Sequence, residues 1–187
     1  MKKFFLMIAV ALISLTASAQ VYVGGGVSAW RNSDANHTQF TLEPEVGYTL
    51  SETWDMGIGI GFAHDYLKGF KTNAIEVDPY VRWSFAKFGP VGLFLDMTAG
   101  VASYKTKYRD NDSSDANTAW RIGVEPGVKV SLTKKLDFVA HCGFLGYTDA
   151  DDAFILNDGS SVSPYGEKGF GFRLNGNNLT FGLLYNF

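Results

Sequence analysis

From residue 21 onward the chain divides into about eight runs in which apolar and small or polar residues alternate. In Thr38 to Leu50, Phe40, Leu42, Val46, Tyr48 and Leu50 stand against Gln39, Thr41, Glu43, Glu45 and Thr49. Trp54 to Tyr66 repeats the pattern, with Trp54, Met56, Ile58, Ile60 and Phe62 against Asp55, Gly57, Gly59, Gly61 and Ala63. A period of two predicts strands with one apolar and one polar face. The other runs are Val21 to Arg31, Ala74 to Phe85, Val91 to Tyr104, Trp120 to Leu132, Leu136 to Tyr147 and the C-terminal Leu179 to Phe187. The seventh is the least regular, with Phe138, Ala140, Cys142 and Phe144 expected on its apolar face.

The connections alternate in length. Ser51–Thr53, Ala86–Pro90 and Thr133–Lys135 are tight, whereas Asn32–His37, Leu67–Asn73, Lys105–Thr118 and Thr148–Asn177 are longer and polar. Each run reaches the roughly 9–11 residues that a tilted membrane strand needs. Tight turns at one end and long loops at the other describe an outer-membrane barrel. The polar faces also carry most of the strand glycines, among them Gly47, Gly57, Gly59, Gly61, Gly123 and Gly127, while Gly25 and Gly146 fall on the apolar faces. A closed tube of eight strands is barely wide enough for its own side chains. Glycine on the polar face therefore predicts that this face is the inside, leaving room for Tyr80, Arg82, Phe94 and Arg121. The expected fold is all-β, an eight-stranded antiparallel up-and-down transmembrane β-barrel. Glu43-Pro44-Glu45-Val46, Asp78-Pro79-Tyr80-Val81 and Glu125-Pro126-Gly127-Val128 repeat an acid-Pro-x-Val pattern in strands two, four and six. Proline lacks the N–H a ladder needs, so each is expected at a bulge or bend, or with its missing donor compensated.

Composition narrows the function. Met1-Lys2-Lys3, the apolar run Phe4 to Ile13 and Ala17-Ser18-Ala19 read as a secretory signal peptide over residues 1–19. The 187 residues less these 19 leave 168, residues 20–187, as one barrel domain with 14 basic and 19 acidic groups. That balance argues against nucleic acid as a partner. The single cysteine, Cys142, allows no internal disulfide. No segment after the leader has 18 consecutive apolar residues, so a helical membrane protein is not expected.

The C-terminal strand carries a second kind of information. Gly182, Tyr185 and Phe187 form a pattern in which a terminal aromatic closes an amphipathic strand. This resembles the C-terminal sorting signal of bacterial outer-membrane barrels. With the export leader and the alternation, residues 20–187 resemble the OmpA/OmpX-like family of small outer-membrane β-barrels. The resemblance implies residence in the outer membrane among its lipid and lipopolysaccharide, and contact with the barrel-insertion machinery during assembly. It implies no single activity, since such barrels include adhesins, membrane stabilisers and lipid-modifying enzymes.

Alternation directs Glu43, Glu45, Glu76, Asp78, Arg82, Asp96, Arg121, Glu125 and Lys129 inward, together with Asp55, Asp137 and His141. Charges at that depth need partners. The expected arrangement is an interlocking polar network that fills the barrel, and the competing one is a narrow channel for small ions or solutes. No catalytic residues are assigned: His37, His64 and His141 show no spacing that ties them to Ser28 or Ser103. Asp110 to Asp115 resembles half a calcium loop but lacks its glycine and distal glutamate, so no metal or other cofactor is expected. The role expected is structural or surface-interacting and non-enzymatic. Aromatics gather toward the strand ends as two girdles, including Trp54, Trp83, Phe85 and Tyr185 at the turn side and Trp30, Phe40 and Trp120 at the loop side.

The final loop holds the last two expectations. Phe170, Phe172 and Leu174 share one parity and Leu179, Phe181 and Leu183 the other. One strand cannot keep a single face outward across that switch without an irregularity, expected near Gly176. The strand should extend to about Gly169 and pair with Leu145 to Asp149, above the membrane. Phe154, Ile155 and Tyr165, apolar on an otherwise solvated tip, are the expected contact surface.

Overall fold

The computed structural model describes residues 20–34, 36–67, 70–107, 115–151, 164–165, 168–174 and 179–187. Ten strand segments run in chain order: β1 (Val21–Asn32), β2 (His37–Thr49), β3 (Trp54–Leu67), β4 (Phe70–Phe88), β5 (Val91–Lys107), β6 (Asn117–Ser131), β7 (Leu136–Cys142), β8 (Phe144–Ala150), β9 (Gly169–Arg173) and β10 (Leu179–Asn186). Each pairs antiparallel with its neighbours. β7 with β8 makes one wall strand against β6, and β9 with β10 makes the next. β10 then returns to β1, from Tyr22↔Asn186 to Gly26↔Gly182, and the result is a closed eight-stranded barrel.

The apolar faces point outward, as the glycine placement requires. Phe40, Leu42, Val46, Met56, Ile58, Ile60, Phe62, Ile75, Met97, Val101 and Ile122 are all exposed. Trp54 stacks on Trp83 with centroids 6.2 Å apart, and Trp83 meets Phe85 at 5.6 Å, at the turn end. Trp120 meets Tyr147 at 5.3 Å near the loop end. The side chain of Trp30 lies outside the described residues.

Inside, aromatic rings lie over the bare backbone of glycines across the lumen wall. A methyl at Gly47 would come 2.1 Å from the ring of Tyr22, one at Gly57 2.5 Å from the Tyr80 hydroxyl, and one at Gly127 2.3 Å from the ring of Phe94. The narrow bore is therefore filled because these inward positions have no side chain.

Four sequence expectations need correction. Phe144 points inward, packing against Gly123 and Gly146. The cause is a bulge: three residues, Cys142 to Phe144, oppose two, Glu125 and Pro126, between the pairs Gly127↔His141 and Val124↔Leu145. Gly143 takes φ 89° there, which glycine alone adopts without strain. Gly146, beyond the bulge, consequently lies on the inner face and pairs with Gly123. Leu67–Asn73 is no open loop, because β3 and β4 remain paired out to Leu67↔Phe70. Of the repeated prolines only Pro126 faces a bulge. Pro44 and Pro79 leave a gap in one ladder each, toward β3 and β5, with no change of register.

The parity switch in the last strand is present. β9 begins at Gly169 and pairs with β8 through Leu145↔Phe172 and Thr148↔Gly169. Phe170, Phe172 and Leu174 are outward and exposed, as are Leu179, Phe181 and Leu183 on β10. Residues 175–178, with the expected irregularity at Gly176, lie outside the described residues. Gly143 lies against Arg173 and Leu174 of the neighbouring wall strand.

Candidate functional site

The lumen is organised in layers along the barrel axis. At the turn end Lys129 approaches Asp55 at 3.6 Å, and Asn186 donates to Asp137 at 3.0 Å. Next comes an apolar layer of Tyr22, Phe94, Val139 and Leu184, each at most 2% exposed. Against it lies the most buried charge among the described residues. Arg82 donates through Nε and Nη2 to the two oxygens of Asp96, both at 2.8 Å. His141 Nε2 meets Asp96 Oδ2 at 2.9 Å, and the Arg82 guanidinium lies 4.2 Å from the centre of the Phe94 ring. Two coplanar N–H···O bonds are the strongest geometry available to such a pair. Arg82 Nη1 is buried without a partner. Two residues before Arg82 on the same face of β4, Tyr80 donates to Glu45 and shares a 2.8 Å hydrogen bond with the hydroxyl of Tyr22.

Above this network the lumen widens into a chamber of about 140 Å³ lined by Glu43, Glu45, Glu76, Asp78, Asp96 and Glu125 among others. Arg121 binds two of these acids, Asp78 at 2.8 Å and Glu125 at 2.7 Å. Asp96 belongs to Arg82, and among the described residues Glu43, Glu45 and Glu76 are in no ion pair. The chamber is therefore acidic in balance.

Its upper boundary comes from the long final loop. Tyr165 is 5% exposed and packs with Ala74, Ala102, Tyr104 and Ala119 as a second apolar layer. Its ring covers Arg121 at 4.9 Å, its hydroxyl reaches Asp78 at 3.5 Å, and Arg173 donates to its carbonyl at 2.6 Å. Burial, reinforced by the carboxylates of Asp78 and Glu76, holds the Tyr165 phenol well above its ordinary range, so it serves as a neutral donor. The expectation that Tyr165 is an exposed contact residue is thus overturned: its ring fills the barrel mouth, where glycine and alanine on the wall leave space. Phe154 and Ile155 lie outside the described residues.

The structure brings Glu43, Glu45, Glu76, Asp78, Arg82, Asp96, Arg121 and Glu125 to one chamber, while Lys129 stands apart at the turn end with Asp55. Sequence reading misses Tyr22 and Tyr165 as members, and Phe144, which lies 5.8 Å from Arg121 and 5.7 Å from Arg173. At the rim His37 meets Asp65 at 2.9 Å and His64 meets Asn73 at 2.8 Å, and neither histidine bonds to a serine among the described residues. Lys168, on the exposed surface, is held above the usual lysine range by a hydrogen bond to Asp149. Asp110 to Ser114 of the acidic loop fall outside the described residues. Gly182 lies inward beside Val139, and Tyr185 and Phe187 point outward with rings 5.2 Å apart.

Comparison with known proteins places this architecture. The family model described as outer membrane protein beta-barrel domain matches residues 4–187. Among solved structures, the N-terminal β-barrel domain of Pseudomonas aeruginosa OprF is similar with a TM-score of 0.52 at 16% identity, covering 90% of this chain and 97% of that one. A major outer membrane protein of Thermus thermophilus gives 0.54 at 16% identity, covering 91% of this chain and 100% of that one. At such identities the likeness is one of fold. No curated protein sequence matches.

Proposed function

The chain belongs to the outer membrane protein beta-barrel domain family, and on that premise we propose that it is a sealed barrel with a structural or surface-interacting role and no catalytic one. The supporting observation is the double closure of the lumen. Tyr22, Phe94, Val139 and Leu184 pack across the turn end against the Arg82–Asp96–His141 network, and Tyr165 packs across the loop end. A path for hydrated ions would have to separate buried ion pairs and displace aromatic rings. The long loops are left as the parts that meet the surroundings. Residues 1–19 act as the export leader, the tight turns face the periplasm, and Gly182, Tyr185 and Phe187 are read during insertion.

The reverse reading, a narrow channel, draws on the acidic chamber, whose excess carboxylates would select cations. Planar-bilayer recording separates the two. The sealed barrel gives no sustained openings at moderate voltage, and frequent stable cation-selective openings of the wild-type chain would overturn it. Outer-membrane fractionation with heat-modifiable gel migration tests the location.

A further inference from the structure

Among the described residues the barrel wall is held least between β1 and the eighth wall strand. Their ladder has five pairs and ends at Gly26↔Gly182. Beyond that point Val27 to Arg31 pair with β2 alone, and Gly169–Arg173 pairs with β8 alone, among the described residues. Two hollows stand back to back at the last pair. The acidic chamber counts Gly26, Thr180 and Gly182 in its wall. On the outer side a groove of about 370 Å³ runs over Gly24, Gly25 and Gly26, and Gly26 and Gly182 line both hollows.

The groove owes its depth to Gly25, an outward position without a side chain. Its φ of 145° favours glycine, and a Cβ would come 2.3 Å from the Glu43 carbonyl oxygen. Pro44 sits opposite it in the β2 register. The banks are tall and apolar: Val27 and Leu42 on one side, Leu183 and the stacked pair Phe138–Phe181, centroids 5.9 Å apart, on the other.

We propose that this groove binds one alkyl chain of an outer-leaflet lipid, lying along β1 with its polar end at the unzipped part of the wall. The inference rests on the barrel standing in a bilayer. Three observations select this occupant. The lining carries no charged side chain, and it is continuous with the exposed apolar band of Val23, Val27, Leu42 and Val46 that faces hydrocarbon in that setting. A chain in a slot touches wall on two sides, which multiplies dispersion contacts over those on a smooth barrel face. At the open edge, backbone groups of Val27 to Ala29 that point away from β2, with no ladder partner among the described residues, need polar partners in an apolar medium. The ester or amide groups at the head of a lipid chain supply them where hydrocarbon does not.

The test uses the full mature chain in nanodiscs of phosphatidylethanolamine bearing a diazirine on the acyl chain, with adducts mapped by peptide mass spectrometry after photolysis. Adducts are expected several-fold more often on Val27, Leu42, Phe138, Phe181 and Leu183 than on Met97, Val101 and Ile122 of the opposite wall. Leu183→Trp, which fills the groove, should reduce the excess to the level of the opposite wall, and Leu42→Trp is a second filling variant should the first fail to assemble. Adducts spread evenly around the barrel would mean ordinary annular lipid and overturn the proposal. Adducts at no wall position would reject the bilayer setting itself, and the proposal with it.

Discussion

Asp96→Asn is the perturbation that most directly measures how dry the lumen is. The substitution keeps the size of the side chain and removes the charge that compensates Arg82, 1% exposed and bound bidentately at 2.8 Å. Phe94 covers the guanidinium at 4.2 Å and Tyr80 lies 5.1 Å away, so two aromatic rings shield Arg82 and Asp96 is the carboxylate that compensates its charge. Stranding one member of a buried pair costs about 3–5 kcal/mol, whereas losing a solvated pair costs about 1 kcal/mol or less. With a urea dependence of about 1–3 kcal/mol per molar, the dry-lumen loss lowers the unfolding midpoint by on the order of 2 M. Urea titration of the barrel refolded into lipid vesicles, followed by tryptophan fluorescence and gel mobility, reads the shift. Arg82→Met with Asp96→Leu removes both charges and should recover most of the loss, since apolar replacement of a whole buried pair is close to neutral. A loss below about 1 kcal/mol for Asp96→Asn alone would show that water already solvates Arg82, and the sealed-barrel reading would fall with it.

The other expectations are briefer. Gly127→Val places a side chain where a Cβ already comes 2.3 Å from the Phe94 ring, and should cost about 1–3 kcal/mol by the same titration, with Phe94→Leu in the same chain relieving part of it. Tyr165→Ala removes the loop-end layer and should lower stability by about 2–4 kcal/mol while leaving bilayer recordings silent, because the turn-end layer remains; sustained current from this variant would show that the turn-end layer does not close the bore. Deleting Phe187 should lower the amount assembled in cells far more than refolding yield in detergent. Equal losses in both would reduce the terminal aromatic to a packing residue.

What the sequence reveals and what it withholds follow from the same period of two. Wherever a strand runs unbroken, one inward residue fixes the next, so Glu43 and Glu45 or Asp78, Tyr80 and Arg82 share a face by spacing alone. A bulge adds one residue and inverts everything beyond it, and for that reason alternation misplaces Phe144 but not Phe138. A signal for it exists, since Gly143 is the glycine at which the outward-facing residues change parity, from Phe138, Ala140 and Cys142 to Leu145 and Tyr147. In the last strand the analogous conflict between Leu174 and Leu179 is readable because it falls between two clear apolar runs. The partners of the charges are less accessible. Arg121 meets Asp78 across the bore, 43 positions away, and nothing in local spacing specifies distance through the lumen. Tyr165 is unreadable for a further reason: a loop has no period, so an aromatic there reads as exposed until the void that accepts it is seen.

The five-pair seam also sets how the barrel would respond to force. Val21 and Phe187 lie side by side at the turn end, joined by a 3.1 Å hydrogen bond from the Phe187 amide to the Val21 carbonyl. Tension applied between Val21 and Phe187 therefore loads that bond and Tyr22↔Asn186 first and passes to Val23↔Tyr185 only after they have parted. The bonds break one after another, like teeth of a zip, instead of sharing the load as strands pulled from opposite ends do. A barrel whose long ladders resist shear is in this one direction soft, and its mechanical weak line runs beside the glycine-floored groove.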